Sequence, residues 1–215
     1  MISVITVNYK TKGYVKRMLT SLYKYHSHCS DVEVFVVENG SGDDLSDLEH
    51  EFPQVKFIYS KKNLGFAGGN NLAIKKATGE FIVLINPDIV FDDHALCNLA
   101  DEMRKDPLVG IGGVSLKNLD GTQQRCVWRF PTPIDQIMLL LKVPHIFGEF
   151  GPIKRWLMTD FDYSKTQQVD QVMGAFFMIR PELIDLIGML DEGFFMWYEE
   201  VDFARRARYA GWLTK

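Results

Sequence analysis

Three short stretches hold the side chains whose types and spacing could do chemistry. In "FIVLINPDIVFDD" (81–93) an apolar run goes straight into Asn86-Pro87-Asp88. Proline has no N–H for a central ladder, so pairing should end at Pro87 and leave Asp88 at the strand's carboxyl edge. A single carboxylate together with substrate phosphates is a common way to hold Mg²⁺; a strand-terminating turn is the plainer reading. In "KKNLGFAGGNN" (61–71), Gly65, Gly68 and Gly69 let backbone approach a ligand, with N–H groups facing a helix start, which favours an anion such as a diphosphate. A flexible turn explains the same glycines equally well, and the spacing is neither the dinucleotide nor the P-loop pattern. In "GMLDEGFFMWYEEVDFARRARYAGW" (188–212), Phe194, Phe195, Trp197 and Tyr198 precede Glu199, Glu200 and Asp202. Acids at a helix start are ordinary partners of its dipole. An aromatic wall against paired acids also raises a carboxylate's pKa and makes a general base. Tyr9 could stack on a base or simply pack, and Glu38 and Asn39 could read a base or ribose edge or form a turn.

The elements that must position these groups alternate. "SVITVN" (3–8), "EVFVVE" (33–38), "VKFIY" (55–59) and 81–85 read as strands, with 109–116 and 172–180 as further ones. Val15, Met18, Leu19 and Leu22 mark a helix over 13–26 by their i, i+3, i+4, i+7 spacing. A short helix is expected from about Gly69 to Ala77. Another, capped by Asp92 or Asp93, carries Leu96, Leu99, Ala100 and Met103 on its apolar face. The last ends at Gly211, a suitable residue just past a helix terminus. This alternation predicts an α/β fold with a mostly parallel, doubly wound sheet, whose ligands sit outside the carboxyl ends of the strands. Residues 129–168 are the least regular part.

The chain has 215 residues, enough for one sizeable core, and 24 Lys and Arg against 28 Asp and Glu give a net charge of −4. The absence of a basic block argues against a nucleic-acid surface. Three widely spaced cysteines, Cys29, Cys97 and Cys126, suit a reducing compartment and speak against a disulfide framework. "MISVITVNY" reads as a first strand, not a signal peptide. No uncharged apolar run approaches the roughly 20 residues that a spanning helix needs.

Taken in order, "SVITVNY", "VVENGSGD", "NLGFAGGNN", "GEFIVLINPD", "VMGAFFMIRPELIDLIGMLDEGFF" and "WYEEVDFARRARYAGW" resemble a family 2 glycosyltransferase with the nucleotide-sugar-binding GT-A fold. The similarity spans nearly the whole chain and is greatest to the rhamnosyltransferase-like enzymes of bacterial surface polysaccharide synthesis. It implies that Tyr9, Glu38 and Asn39 surround the nucleotide base and that Asn63, Gly65, Gly68 and Asn70 lie along the donor. Asn86-Pro87-Asp88 stands where the family's metal-binding Asp-x-Asp stands, with Asp88 on Mg²⁺ or Mn²⁺. Glu200 falls on the catalytic base of the family's Glu-Asp pair, with Glu199 its rival. The implied donor is a dTDP- or UDP-sugar, the acceptor a saccharide or a lipid-linked one, and the step a single inverting displacement in the cytoplasm or at the inner face of the membrane.

Three departures stand out: Asn86 for the first Asp, Glu38 for Asp, and Glu200 for Asp. The family continues past "GWLTK", so residues 1–215 are expected to be one GT-A domain, truncated at the C-terminus. The segment 129–168 is its acceptor-side or interface part. Within it, "PIDQIMLLLKVPHIFGEF" (133–150) is read as a cover for the core or an interface, or more sharply as a peripheral membrane contact. A catalytically incomplete nucleotide-sugar-binding module and a sugar nucleotidyltransferase are the rival readings. The latter's glycine- and arginine-rich N-terminal signature is missing from "SVITVNYKTKGY".

Overall fold

The computed structural model describes residues 1–26, 32–143, 148 and 151–215. In chain order the strands are β1 (Ile2–Asn8), β2 (Val32–Asn39), β3 (Val55–Ser60), β4 (Phe81–Ile85), β5 (Val109–Gly112), β6 (Val127–Trp128), β7 (Gln171–Val172), β8 (Phe176–Ile179) and β9 (Leu213–Thr214). The helices are α1 (Lys12–His26), α2 (Ser46–Glu51), α3 (Gly65–Ile74), α4 (Ala95–Lys105), α5 (Pro133–Leu140), α6 (Gly151–Leu157), α7 (Pro181–Ile187) and α8 (Glu199–Tyr209).

Seven strands form one sheet in the order β3-β2-β1-β4-β8-β5-β9, with β6 and β7 paired separately. The β1–β2, β2–β3 and β1–β4 pairs are parallel, as the alternation predicts. Residues Val4, Ile5, Val83 and Leu84 are buried whichever face of the sheet they point to, because helices cover both sides. Phe35, Phe81, Phe177 and Phe203 are among the largest fully buried side chains, each stabilising the fold by about 1.5–3 kcal/mol.

Strand β8 runs antiparallel to both neighbours. It enters the sheet from the opposite end, so its amino end, at Phe176 opposite Ile85, lies at the ligand edge beside the carboxyl end of β4. The expected strand over 172–180 is therefore two strands. They break at Met173–Ala175, where Met173 N–H turns away to the Cys126 carbonyl at 2.8 Å. The expected strand over 109–116 shortens to β5, and β9 adds an edge strand that periodicity did not suggest. The stretch 129–168 contains α5 and α6. The expected helix from Gly69 begins four residues earlier, because Gly68 and Gly69 belong to its first turns. His94, not Asp92 or Asp93, takes the position before α4, although the Asp93 carboxylate accepts from Ala95 N–H at 2.8 Å. Gly211 follows α8 with φ 87°, as expected of its role. Cys126 is a buried thiol. Cys29 lies outside the described residues.

Candidate donor and acceptor site

The carboxyl ends of β1, β2 and β4 bring polar side chains to one edge. Asn8 and Glu38 are register partners at the ends of β1 and β2. Both are buried, and each is committed to the loop after β2. Asn8 Nδ2 donates to the Asp43 carboxylate at 3.0 Å, and Asn8 Oδ1 accepts from Thr11 N–H at 3.1 Å. Glu38 accepts from Gly40 N–H at 3.0 Å, from Ser41 N–H at 2.7 Å and from the Ser41 hydroxyl. The longer Glu side chain thus closes its own turn. Tyr9 follows with its ring exposed. Asn8 was not singled out from sequence; its position one residue before Tyr9, at the end of an apolar run, was the available signal.

Asn39, Asn63 and Gly65 form one knot. Asn39 Nδ2 donates to Asn63 Oδ1 at 3.1 Å and to the Gly65 carbonyl at 3.0 Å, while Asn39 Oδ1 accepts from Leu64 N–H at 3.1 Å. Asn63 Oδ1 also accepts from Gly65 N–H at 2.9 Å. The amides at this helix start are thus partly spent on protein atoms. Packing explains the other small residues: a Cβ on Gly68 would lie 2.8 Å from Leu64 Cβ, and one on Gly69 would lie 3.0 Å from Val7. Asn70 is buried and donates to the Phe66 carbonyl at 2.9 Å.

Asn86, Pro87 and Asp88 follow β4 as a turn, with Ile89 N–H bonded to the Asn86 carbonyl at 3.2 Å. Asn86 N–H donates to the Ala175 carbonyl at 3.0 Å, the last link before the strands part. Asp88 is exposed, and among the described residues its carboxylate makes no hydrogen bond or ion pair. Among the described residues no group of three or more His, Cys, Asp and Glu could hold a metal by itself. One free carboxylate at the ligand edge fits a divalent cation held chiefly by a ligand's own phosphates.

The acids of α8 face different ways. Glu199 shares a helix face with Phe203 and Ala207, all buried. Glu200 stands over Gly174, where a Cβ would lie 3.6–3.7 Å from its side-chain carbons. Gly174 adjoins Ala175, so Glu200 reaches the edge that carries Asn86 and Asp88. Burial pushes the Glu199 carboxyl up to about 7, helped by the neighbouring Glu200 charge, and burial also raises Glu200. One Oε2 atom of each is buried without a hydrogen-bond partner. The expected aromatic wall is mostly turned outward: Phe195, Trp197 and Tyr198 are exposed and only Phe194 is half-buried. Trp197 and Tyr198 both adopt left-handed backbone, with φ 70° and 73°, a strained pair for non-glycine residues. Tyr198 Oη donates to Gln136 Oε1 at 2.8 Å, which ties α5 to this turn.

The pattern described as "Glycosyl transferase family 2" matches residues 3–160. The chain belongs to glycosyltransferase family 2. The chain is 28% identical over 214 residues to the "Low-salt glycan biosynthesis hexosyltransferase Agl10" of Haloferax volcanii, covering 96% of the chain and 61% of that protein. It is 23% identical over 230 residues to the "N-acetylglucosaminyl-diphospho-decaprenol L-rhamnosyltransferase" of Mycobacterium tuberculosis, covering all of the chain and 72% of the relative. These names support the rhamnosyltransferase-like assignment. The mannosyltransferase PcManGT of Pyrobaculum calidifontis, solved with GDP-Man and Mn²⁺, superimposes with a TM-score of 0.67 at 17% identity, over 99% of this chain and 53% of its own. The fold is GT-A.

Proposed function

We propose that this glycosyltransferase moves a sugar from a nucleoside-diphosphate donor to an acceptor hydroxyl, with inversion, in bacterial surface glycan synthesis. One observation carries the reading. The Asn86 N–H to Ala175 carbonyl bond joins the turn bearing the uncommitted Asp88 to the backbone under Glu200, whose Oε2 lacks a partner. The carboxylate that would hold a metal and the one that would take the proton share one edge.

In this reading Tyr9, Glu38 and Asn39 border the nucleotide, and Asn63, Gly68, Asn70 and Asn86 border the rest of the donor. Asp88 would hold Mg²⁺ or Mn²⁺, which would supply charge neutralisation for a leaving diphosphate. Glu200 accepts the acceptor's proton as the hydroxyl attacks the anomeric carbon. Glu199, turned toward the helix's buried face, is a structural neighbour. The donor is a dTDP- or UDP-sugar. The relative named for a diphospho-decaprenol substrate supports a lipid-linked acceptor, and in this reading the protein works in the cytoplasm, at the inner face of the membrane. The exposed Ile134, Ile137, Leu140 and Leu141 of α5 and its end fit contact with that surface.

The test has two arms. Asp88→Asn abolishes the Mn²⁺-dependent part of donor binding by calorimetry, and Glu200→Gln lowers transfer by roughly 10²-fold or more while donor binding persists. Unchanged metal dependence in the first variant, or normal transfer in the second beside an inactive Glu199→Gln, overturns the respective assignment. Metal-dependent donor binding with no transfer by the full-length protein would favour a binding module instead.

A further inference from the structure

Gly65 owes its lack of a side chain to a protein contact on the acceptor side. Its φ is 71°, and a Cβ built there would lie 2.1 Å from the Phe195 carbonyl oxygen and 2.9 Å from its carbon. The next residue, Phe66, donates its N–H to that same oxygen at 2.9 Å. The turn around Gly65 is clamped to the end of β2 by Asn39, whose amide holds the Gly65 carbonyl and Leu64 N–H. A second tie lies farther along α3, where Asn71 Nδ2 donates to the Leu190 carbonyl at 2.9 Å and to Glu192 Oε1 at 3.0 Å. Little slack separates Phe195 from the acids of α8. Trp197 and Tyr198 are fixed in left-handed conformations, Tyr198 Oη is held by Gln136, and the Tyr198 carbonyl accepts Asp202 N–H at 2.8 Å.

We propose that Gly65 is a positioning residue: by letting the donor-side turn seat against the Phe195 carbonyl, it sets where Glu200 stands relative to the donor edge. The inference rests on the reading of Glu200 as the base, and it gives Gly65 a role different from lining the donor. A methyl group at Gly65 must move the Phe195 carbonyl from 2.1 Å to an ordinary contact of 3.4 Å or more, a shift beyond 1 Å. A misplacement of about 1 Å at reacting groups costs on the order of 10²-fold in rate.

The experiment compares Gly65→Ala with wild type in the full-length protein, measuring donor affinity by calorimetry, kcat at saturating donor, and the pH profile of kcat. Positioning predicts a loss on the order of 10²-fold in kcat with donor affinity retained, and an acid limb displaced because the base's surroundings have shifted. Weakened donor binding with kcat preserved at saturation overturns the proposal, since Gly65 would then face the donor. Because Gly65→Ala also strains the backbone, a second variant replaces Phe66 by phenyllactate. This ester removes the N–H that bonds to Phe195 and leaves every side chain in place, at the cost of a weaker acceptor at the Gly65 carbonyl that Asn39 holds. It should lower kcat in the same way, and wild-type kcat in this ester refutes the coupling. Normal transfer by Glu200→Gln would sink the functional reading alone. A kcat loss in Gly65→Ala with intact donor binding would still show that the turn positions whatever group acts.

Discussion

Replacing Glu199 with glutamine should stabilise the protein at pH 8 relative to its effect at pH 5. Glu199 is 4% exposed, its Oε2 has no partner, and burial holds its carboxyl near 7 in place of the ordinary 4.5. The folded state therefore binds the proton more tightly than the unfolded chain. Between pH 4.5 and 7 the folded form carries more protons, so stability falls as pH rises through this window, and it is fully present only below it. The gap from 4.5 to about 7 corresponds to about 3 kcal/mol at most. Glutamine keeps the shape and cannot ionise. Its amide leaves a donor in place of the unpartnered oxygen, a cost of about 1–3 kcal/mol that does not vary with pH. The clean quantity is therefore the change in ΔΔG between the two pH values. It should favour Glu199→Gln at pH 8 by up to about 3 kcal/mol, or about 6–12 °C in Tm at the usual 2–4 °C per kcal/mol for a domain of this size. Urea melts of both proteins at pH 5 and pH 8 measure it. Glu200 is also raised by burial, but it is present in both proteins and cancels to first order. A ΔΔG that is the same at both pH values would refute the argument that Glu199 is an acid forced to ionise in a buried position.

Glu33 should behave in the opposite sense. Burial alone would raise its carboxyl, but Lys56, Ser3 and Thr78 hold it down to about 2. Glu33→Gln should cost roughly 1.5–3 kcal/mol at neutral pH. The difference should shrink below the ordinary carboxylate value and vanish as pH falls through about 2; an equal penalty at pH 3 and pH 7 in denaturant melts would contradict this. For α5, wild-type protein should float with vesicles containing anionic lipid, and a variant carrying Ile137→Glu and Leu140→Glu should stay at the bottom of the gradient. Flotation unaffected by those charges would exclude this face as the membrane contact.

The α5 helix shows how far pattern alone reaches. The run 133–141 is apolar enough to be read as a cover for the core, yet Ile134, Ile137, Leu140 and Leu141 are exposed while Asp135 is fully buried. Arg155 holds the Asp135 carboxylate at 3.0 Å, and the same carboxylate accepts from Thr132 N–H at 2.8 Å in a capping box. These contacts turn the polar side inward. Hydrophobic spacing says which residues share a face, but not which face the rest of the chain offers a partner to.

Elsewhere the sequence by itself determined a good deal. Continuous apolar runs such as 81–85 mark strands covered on both sides, and the 3.6-residue stripe of α1 follows from Val15, Met18, Leu19 and Leu22, all buried. These are local properties, set by which side chains can leave water. The order of motifs was likewise enough to place the chain in its family. Tertiary structure alone decided the rest. Gly65 and Gly68 are glycines in any reading of the sequence, but only the fold shows that Phe195 and Leu64 occupy the space beside them. Glu199 and Glu200 are adjacent and chemically identical. The 100° turn of a helix buries one beside Phe203 and sets the other over Gly174, a residue 26 positions earlier that β8 brings to the edge of β4. Contacts between segments so distant in the chain depend on how the strands are ordered and directed, and no local spacing encodes that.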